Sequence, residues 1–155
     1  MTPTEKLREL DLELPEVPTP ADSYVPARVA GNLVFTSGQL PFVNGGLFST
    51  GKVGAEVSLE DAQEAARLCA LNALAATAER VGGLDNVRGV VKVVGFVASA
   101  EGFNEQPKVI NGASDFIGEV FGEAGRHARS AVGVFELPLN APVEVELIAE
   151  VSATK

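Results

Sequence analysis

Two side chains capable of chemistry stand close together in the last third of the chain: Arg129, within Arg126-His127-Ala128-Arg129-Ser130-Ala131-Val132, and Glu144, within Val143-Glu144-Val145-Glu146-Leu147-Ile148. A guanidinium is a permanent cation whose planar fork matches a carboxylate with two hydrogen bonds. A carboxylate beside a bound substrate can hold a water or move a proton. Together they describe a site that binds a small carboxylate and activates water. A plainer description also fits: Arg129 is a strand-end arginine paired with any of 21 acids, and Glu144 and Glu146 are the solvated face of an alternating strand.

Other routes to chemistry are thinner. His127 is the one histidine, so no histidine triad or multi-histidine metal site can be built within one chain, and it reads as a loop residue. Cys69 lies in an alanine- and leucine-rich helix with no neighbouring base, which fits a buried small hydrophobe. The stretch Gly46 to Val53 nearly matches the phosphate-cradling G-x-x-x-x-G-K-[ST] pattern. Val53 supplies no hydroxyl for magnesium and opens no helix, so it reads as a glycine-rich surface loop. No dinucleotide glycine fingerprint, HExxH pattern or Cys/His cluster is present, and the expectation is a site without metal or cofactor.

Composition narrows the partners. With 155 residues the chain builds one sizeable core, and 46% apolar with 21% charged residues is far from a disordered composition. A formal net charge of -9 repels phosphate backbones and anionic lipid, so neither nucleic acid nor membrane is expected. A single cysteine, and no basic-plus-apolar leader or long apolar span, point to a reducing, cytoplasmic setting.

The elements that must position the two groups follow from patterning. Thr4 to Leu12 reads as a short helix and Pro15, Pro18 and Pro20 as an extended connector, giving an N-terminal arm over 1–21 and one domain over 22–155. Tyr24–Ala30 and Leu33–Ser37 form a hairpin about Gly31-Asn32, followed by a long irregular segment through Asn44-Gly45-Gly46 and Gly51. Ser58 caps a helix that runs to about Val81 and stops at Gly82-Gly83. Asn72 on that helix fits either a buried polar group or a helix–helix bond. Arg88–Val97 is valine-rich enough for a central strand covered on both faces. Pro107 opens a second helix with a clean apolar stripe, leaving Asn111, Ser114, Asp115 and Gly118 on its other side. Arg129–Glu136 and Val143–Val151 complete an α+β domain, a single mixed sheet with both long helices on one face. Register raises a difficulty: as hairpin neighbours the last two strands would set Arg129 opposite roughly Glu150, so its meeting with Glu144 needs another strand order or a second subunit.

Tyr24, Thr36-Ser37-Gly38-Gln39-Leu40-Pro41, Asn111, Ala128-Arg129-Ser130-Ala131-Val132 and Val143-Glu144-Val145-Glu146 together resemble, in order, the signature blocks of the Rid family. These are the reactive intermediate deaminases, also called YjgF-like, many of which carry the name L-PSP endoribonuclease. The resemblance implies a chorismate-mutase-like fold, a homotrimer with ligand clefts between subunits, and cofactor-free hydrolysis of 2-imino and enamine acids to 2-oxo acids and ammonia. By resemblance Arg129 clamps the substrate carboxylate and Glu144 positions the water. Ser37, Gly38 and the Ala131 backbone line the imine end, while Tyr24 and Asn111 close the cleft. Ser23 replaces a common proline, Ala131 a common cysteine, and the approach to Asn111 is longer than usual, marking a divergent subgroup. A non-catalytic metabolite-binding trimer is the alternative. A ribonuclease is disfavoured by the negative charge and by the absence of tryptophan and of any basic cluster.

Overall fold

A computed structural model describes residues 1–20 and 22–152; the arm boundary expected at Ala21 and the last three residues lie outside that range. The N-terminal helix α1 (Pro3–Glu9) is closed by a capping box, Thr2 accepting from the Glu5 amide while the Glu5 carboxylate accepts from the Thr2 amide. Its Leu7 is buried, and Leu10, Leu12, Leu14 and Val17 continue along the core, so the arm is packed rather than frayed.

Strands β1 (Ala27–Ala30) and β2 (Leu33–Thr36) form the expected hairpin, with Ala30 paired to Leu33 and Gly31 at φ 63 in the turn. The segment expected to be irregular contains a second, minute hairpin, β3 (Phe42–Val43) with β4 (Gly46–Leu47). Its turn is Asn44-Gly45, at φ 52 and 84, the left-handed pair that a tight primed turn requires. Asn72 fastens this hairpin to the domain by donating to the Leu40 and Phe42 carbonyls at 3.0 and 3.1 Å, which settles its role as a helix-to-loop tie. Val53 is fully buried and bridges to Val57 and Ser99, a structural position unlike that of a phosphate loop.

Helix α2 (Leu59–Val81) begins at the Ser58 cap, whose hydroxyl accepts from the Asp61 amide, and ends at Gly82. Strand β5 (Val87–Ala98) leads to α3 (Gln106–Phe121), in which Pro107 is the second helical residue rather than the first. Then come β6 (Ala128–Val134) and β7 (Val143–Val151). The five long strands form one mixed sheet in the order β1-β2-β7-β5-β6. Only β5 and β6 run parallel, joined by the crossover that α3 supplies.

The helices cover one face. Val93, Val97, Val143, Val145, Leu147 and Ala149 point into the core beneath them, with Ile110, Phe116 and Ile117 of α3. The other face is open in a single chain. The expectation that β5 is covered on both sides is therefore corrected: Val91 is 42% exposed and Arg88 and Lys92 are exposed, because among the described residues no second layer lies on that side. Phe35 and Val132 are also exposed. Among the described residues no helix is long and apolar enough to cross a membrane.

Candidate functional site

Strand order removes the register difficulty and replaces it with a sharper constraint. Strands β6 and β7 are not neighbours, because β5 lies between them. Val93 pairs with both Arg129 and Leu147, and Phe96 pairs with both Val132 and Glu144. Laterally paired residues share a face, and successive residues alternate. Arg129 therefore lies on the helix-covered side with Leu147, while Glu144 lies on the open side with Phe96 and Val132. Two strands laterally and three residues along the sheet separate their Cα atoms by roughly 14 Å. The sheet itself stands between the two groups.

Each nevertheless sits in a formed half-site. On the helix side, Arg129 occupies the start of edge strand β6 and reaches α3, donating through Nη1 to Asn111 Oδ1 at 2.8 Å and to Ser114 Oγ at 3.2 Å. Asn111 and Ser114 are three residues apart and so share one face of the helix. Ser114 Oγ also lies 2.8 Å from His127 Nε2, and His127 Nδ1 lies 2.7 Å from the Gly125 carbonyl. These residues, with Gly118 and Arg126, line an open depression of about 310 Å³. Ala131 follows two residues later on the same face, level with Gly95 and Val145.

On the open side, the segment after β2 runs beside Glu144. Gln39 exchanges both main-chain hydrogen bonds with Val145, at 2.8 and 3.0 Å, which seats Gly38 directly against the Glu144 side chain. A Cβ placed on Gly38 would stand 2.5 Å from Glu144 Oε1. The glycine is what makes room for that carboxylate. Ser37 donates to the Val25 carbonyl at 2.6 Å and joins Tyr24, Arg28 and Phe35 around a second depression of about 480 Å³. Tyr24 is 55% exposed at its rim.

The surroundings of Glu144 favour its protonated form. Burial, and then the like charge of Glu146, raise its proton affinity above that of an ordinary glutamate. Cys69, fully buried beneath Val143, has its thiol pushed well above the usual range, first by burial and then by the Glu144 charge. It behaves as a small core residue. Among the described residues no group of three or more His, Cys, Asp or Glu is gathered closely enough to hold a metal ion.

The structure thus joins Arg129 with Asn111 and Glu144 with Gly38, sets Ser37 beside Tyr24 in a depression that Glu144 does not line, and keeps Arg129 and Glu144 apart within one chain. Ser114 and His127 were not foreseen as members of the site. The helical spacing from Asn111 to Ser114 was a readable signal for the first, whereas nothing in sequence brings His127 back to α3.

Residues 5–151 match a family model described as YjgF/chorismate mutase-like, putative endoribonuclease. Protein TCP17 of Trypanosoma cruzi is 45% identical over 94% of this chain and 92% of its own length. The crystal structure of protein Atu1372 from Agrobacterium tumefaciens, of unknown function, is 48% identical with a TM-score of 0.89, covering 97% of this chain and 92% of that one. The crystal structure of Escherichia coli TdcF with bound serine is 28% identical with a TM-score of 0.65, covering 88% and 94%. By sequence across nearly its whole length, and by a sheet and helix arrangement shared with these structures, the chain belongs to the YjgF/chorismate mutase-like family.

Proposed function

We propose that this protein is a cofactor-independent deaminase that hydrolyses small 2-imino and enamine acids to 2-oxo acids and ammonia, in clefts formed between the subunits of a homotrimer, in the cytoplasm. The observation that carries this reading is the pair of complementary half-sites on opposite faces of one sheet. One holds a fixed cation whose Nη1 is occupied, leaving Nη2 and Nε for a substrate carboxylate. The other holds a half-buried carboxylate of raised proton affinity packed against Gly38. Neither is a site by itself. A cleft in which the open face of one subunit meets the β6 edge of the next would bring them together and would also cover the exposed Val91 and Val132.

The mechanism follows from those positions. Arg129 fixes the carboxylate, and orientation alone lowers the barrier by removing rotational freedom before reaction. Glu144 accepts a proton from water as the water oxygen attacks the imine carbon. The raised proton affinity strengthens it as a base near neutral pH. The same proton then passes to the nitrogen to give a carbinolamine. The new hydroxyl gives up its own proton, which reaches the nitrogen through Glu144, and the C–N bond breaks to release ammonia and leave the 2-oxo group, an enamine entering as its imine tautomer. Ser37, the Gly38 and Ala131 backbones, and Tyr24 enclose the imine end, and Asn111 steadies Arg129. The serine bound to TdcF supports a ligand of amino-acid size bearing a carboxylate.

That bound amino acid also favours a second reading, a trimer that binds a small carboxylate without converting it. Ammonia release from freshly generated 2-aminoacrylate separates the two. Turnover that exceeds the spontaneous rate supports the deaminase, and saturable binding of pyruvate without ammonia release refutes it.

A further inference from the structure

We infer that His127 and Ser114 are positioning residues that lock the Arg129 guanidinium, so that only its Nη2 and Nε edge faces a ligand. The inference rests on the assignment of Arg129 as the carboxylate clamp but is decided by observations that need no substrate.

For a neutral imidazole, one fixed acceptor sets the direction of the hydrogen-bond chain. The Gly125 carbonyl can only accept, so at 2.7 Å the His127 Nδ1 must carry the hydrogen. In the neutral ring Nε2 is then bare. The Ser114 hydroxyl, 2.8 Å away, therefore donates to it. With its own hydrogen committed, Ser114 Oγ presents lone pairs to Arg129, and Nη1 donates to it at 3.2 Å. The other hydrogen of Nη1 goes to Asn111 Oδ1 at 2.8 Å. Both hydrogens of one guanidinium nitrogen are thereby held by α3. A serine hydroxyl turned the other way would oppose donor to donor, so the imidazole selects the rotamer that receives the arginine.

The three parts come from separate elements: Gly125 closes the 3-10 turn after α3, Ser114 lies on α3, and Arg129 lies on β6. The chain thus ties the mouth of the edge strand to the helix above it. Gly125 is buried and its carbonyl is a rigid origin for the relay. Arg126, beside His127, is mostly exposed and meets Glu123 only at 3.8 Å, so it offers no competing anchor.

Nitrogen-15 NMR of the full-length protein tests this directly. His127 is expected as the Nδ1–H tautomer, and the two Arg129 Nη1 hydrogens as separate, slowly exchanging signals. Ser114→Ala and His127→Ala should merge those signals while leaving the thermal midpoint nearly unchanged, and Ser114→Thr should restore them. An Nε2–H tautomer, or Arg129 signals unaltered in Ser114→Ala, would overturn the inference. With pyruvate as probe, Ser114→Ala should weaken binding about three- to tenfold, the value of one modest hydrogen bond. Loss of kcat at unchanged pyruvate affinity would instead make Ser114 a participant in the chemistry and overturn its positioning role. A wild-type protein that neither binds pyruvate nor releases ammonia would refute the proposed function, whereas the NMR outcomes would still decide the hydrogen-bond chain.

Discussion

Gly38→Ala isolates the catalytic claim from stability. The Gly38 backbone is outside the left-handed region, so alanine meets no conformational penalty there. Its Cβ, however, would stand 2.5 Å from Glu144 Oε1, 2.7 Å from Cδ and 3.1 Å from Cγ. Ordinary van der Waals contact begins near 3.5 Å, so the carboxylate must move by about 1 Å. The group that moves is the end of a flexible side chain at the margin of the core, and the folding cost is expected to stay within about 1 kcal/mol, or a fall of roughly 2–4 °C in Tm. A catalytic group displaced by about 1 Å can lose about a hundredfold in rate. Ammonia release from 2-aminoacrylate, measured with the thermal midpoint on the same preparation, reads both quantities. A protein with near-native Tm and kcat down about a hundredfold is the expected result. Full activity in Gly38→Ala would refute the role given to Glu144 and to the space beside it.

Arg129→Ala should lower kcat/KM by roughly ten- to a hundredfold or more, the value of about 1.5–3 kcal/mol for one charge-assisted contact, and Arg129→Lys should recover only part because lysine lacks the fork; steady-state kinetics measures both. Glu144→Gln should raise Tm at neutral pH. The folded carboxyl has a raised pKa, so below 4.5 both states are protonated and the two proteins should coincide. The wild type loses stability relative to the glutamine form as pH rises through the folded pKa, a divergence that thermal melts across that window would detect. Gly112→Ala would drive a Cβ into the Gln63 main-chain carbonyl where α3 crosses α2, and overpacking of about 1–3 kcal/mol should lower Tm by roughly 2–12 °C. Gly118→Ala on the same helix, with nothing near its Cβ, should leave Tm equal or higher.

Local patterning carried much of this fold. The Ser58 cap, the Gly82 stop, the α3 stripe and the alternation of β7 lie where sequence placed them, since each depends on neighbours within a few residues. The β3–β4 hairpin escaped because its strands are two residues long and Phe42 and Val43 are partly exposed, which leaves no alternating pattern around the Asn44-Gly45 turn. The valine run of β5 was misread as doubly covered because hydrophobic content alone does not say whether a second layer belongs to the same chain. Insertion of β7 between β2 and β5 is a long-range choice with no local signal. That choice puts Arg129 and Glu144 on opposite faces. The same limit hid His127, whose partner Ser114 is brought to it only by the crossover from α3 into β6.

Subunit complementation tests the intersubunit site most directly. Arg129→Ala and Glu144→Gln chains are each expected to be nearly inactive, since every cleft in either pure oligomer lacks one group. Co-refolded in equal amounts, they should regain activity, because a cleft between an intact arginine and an intact glutamate from different chains arises in about a quarter of random pairings in a ring. Ammonia release near a quarter of the wild-type rate is the predicted result. A mixture no more active than its inactive parents, with hybrid oligomers demonstrated by mass, would contradict a site shared between subunits.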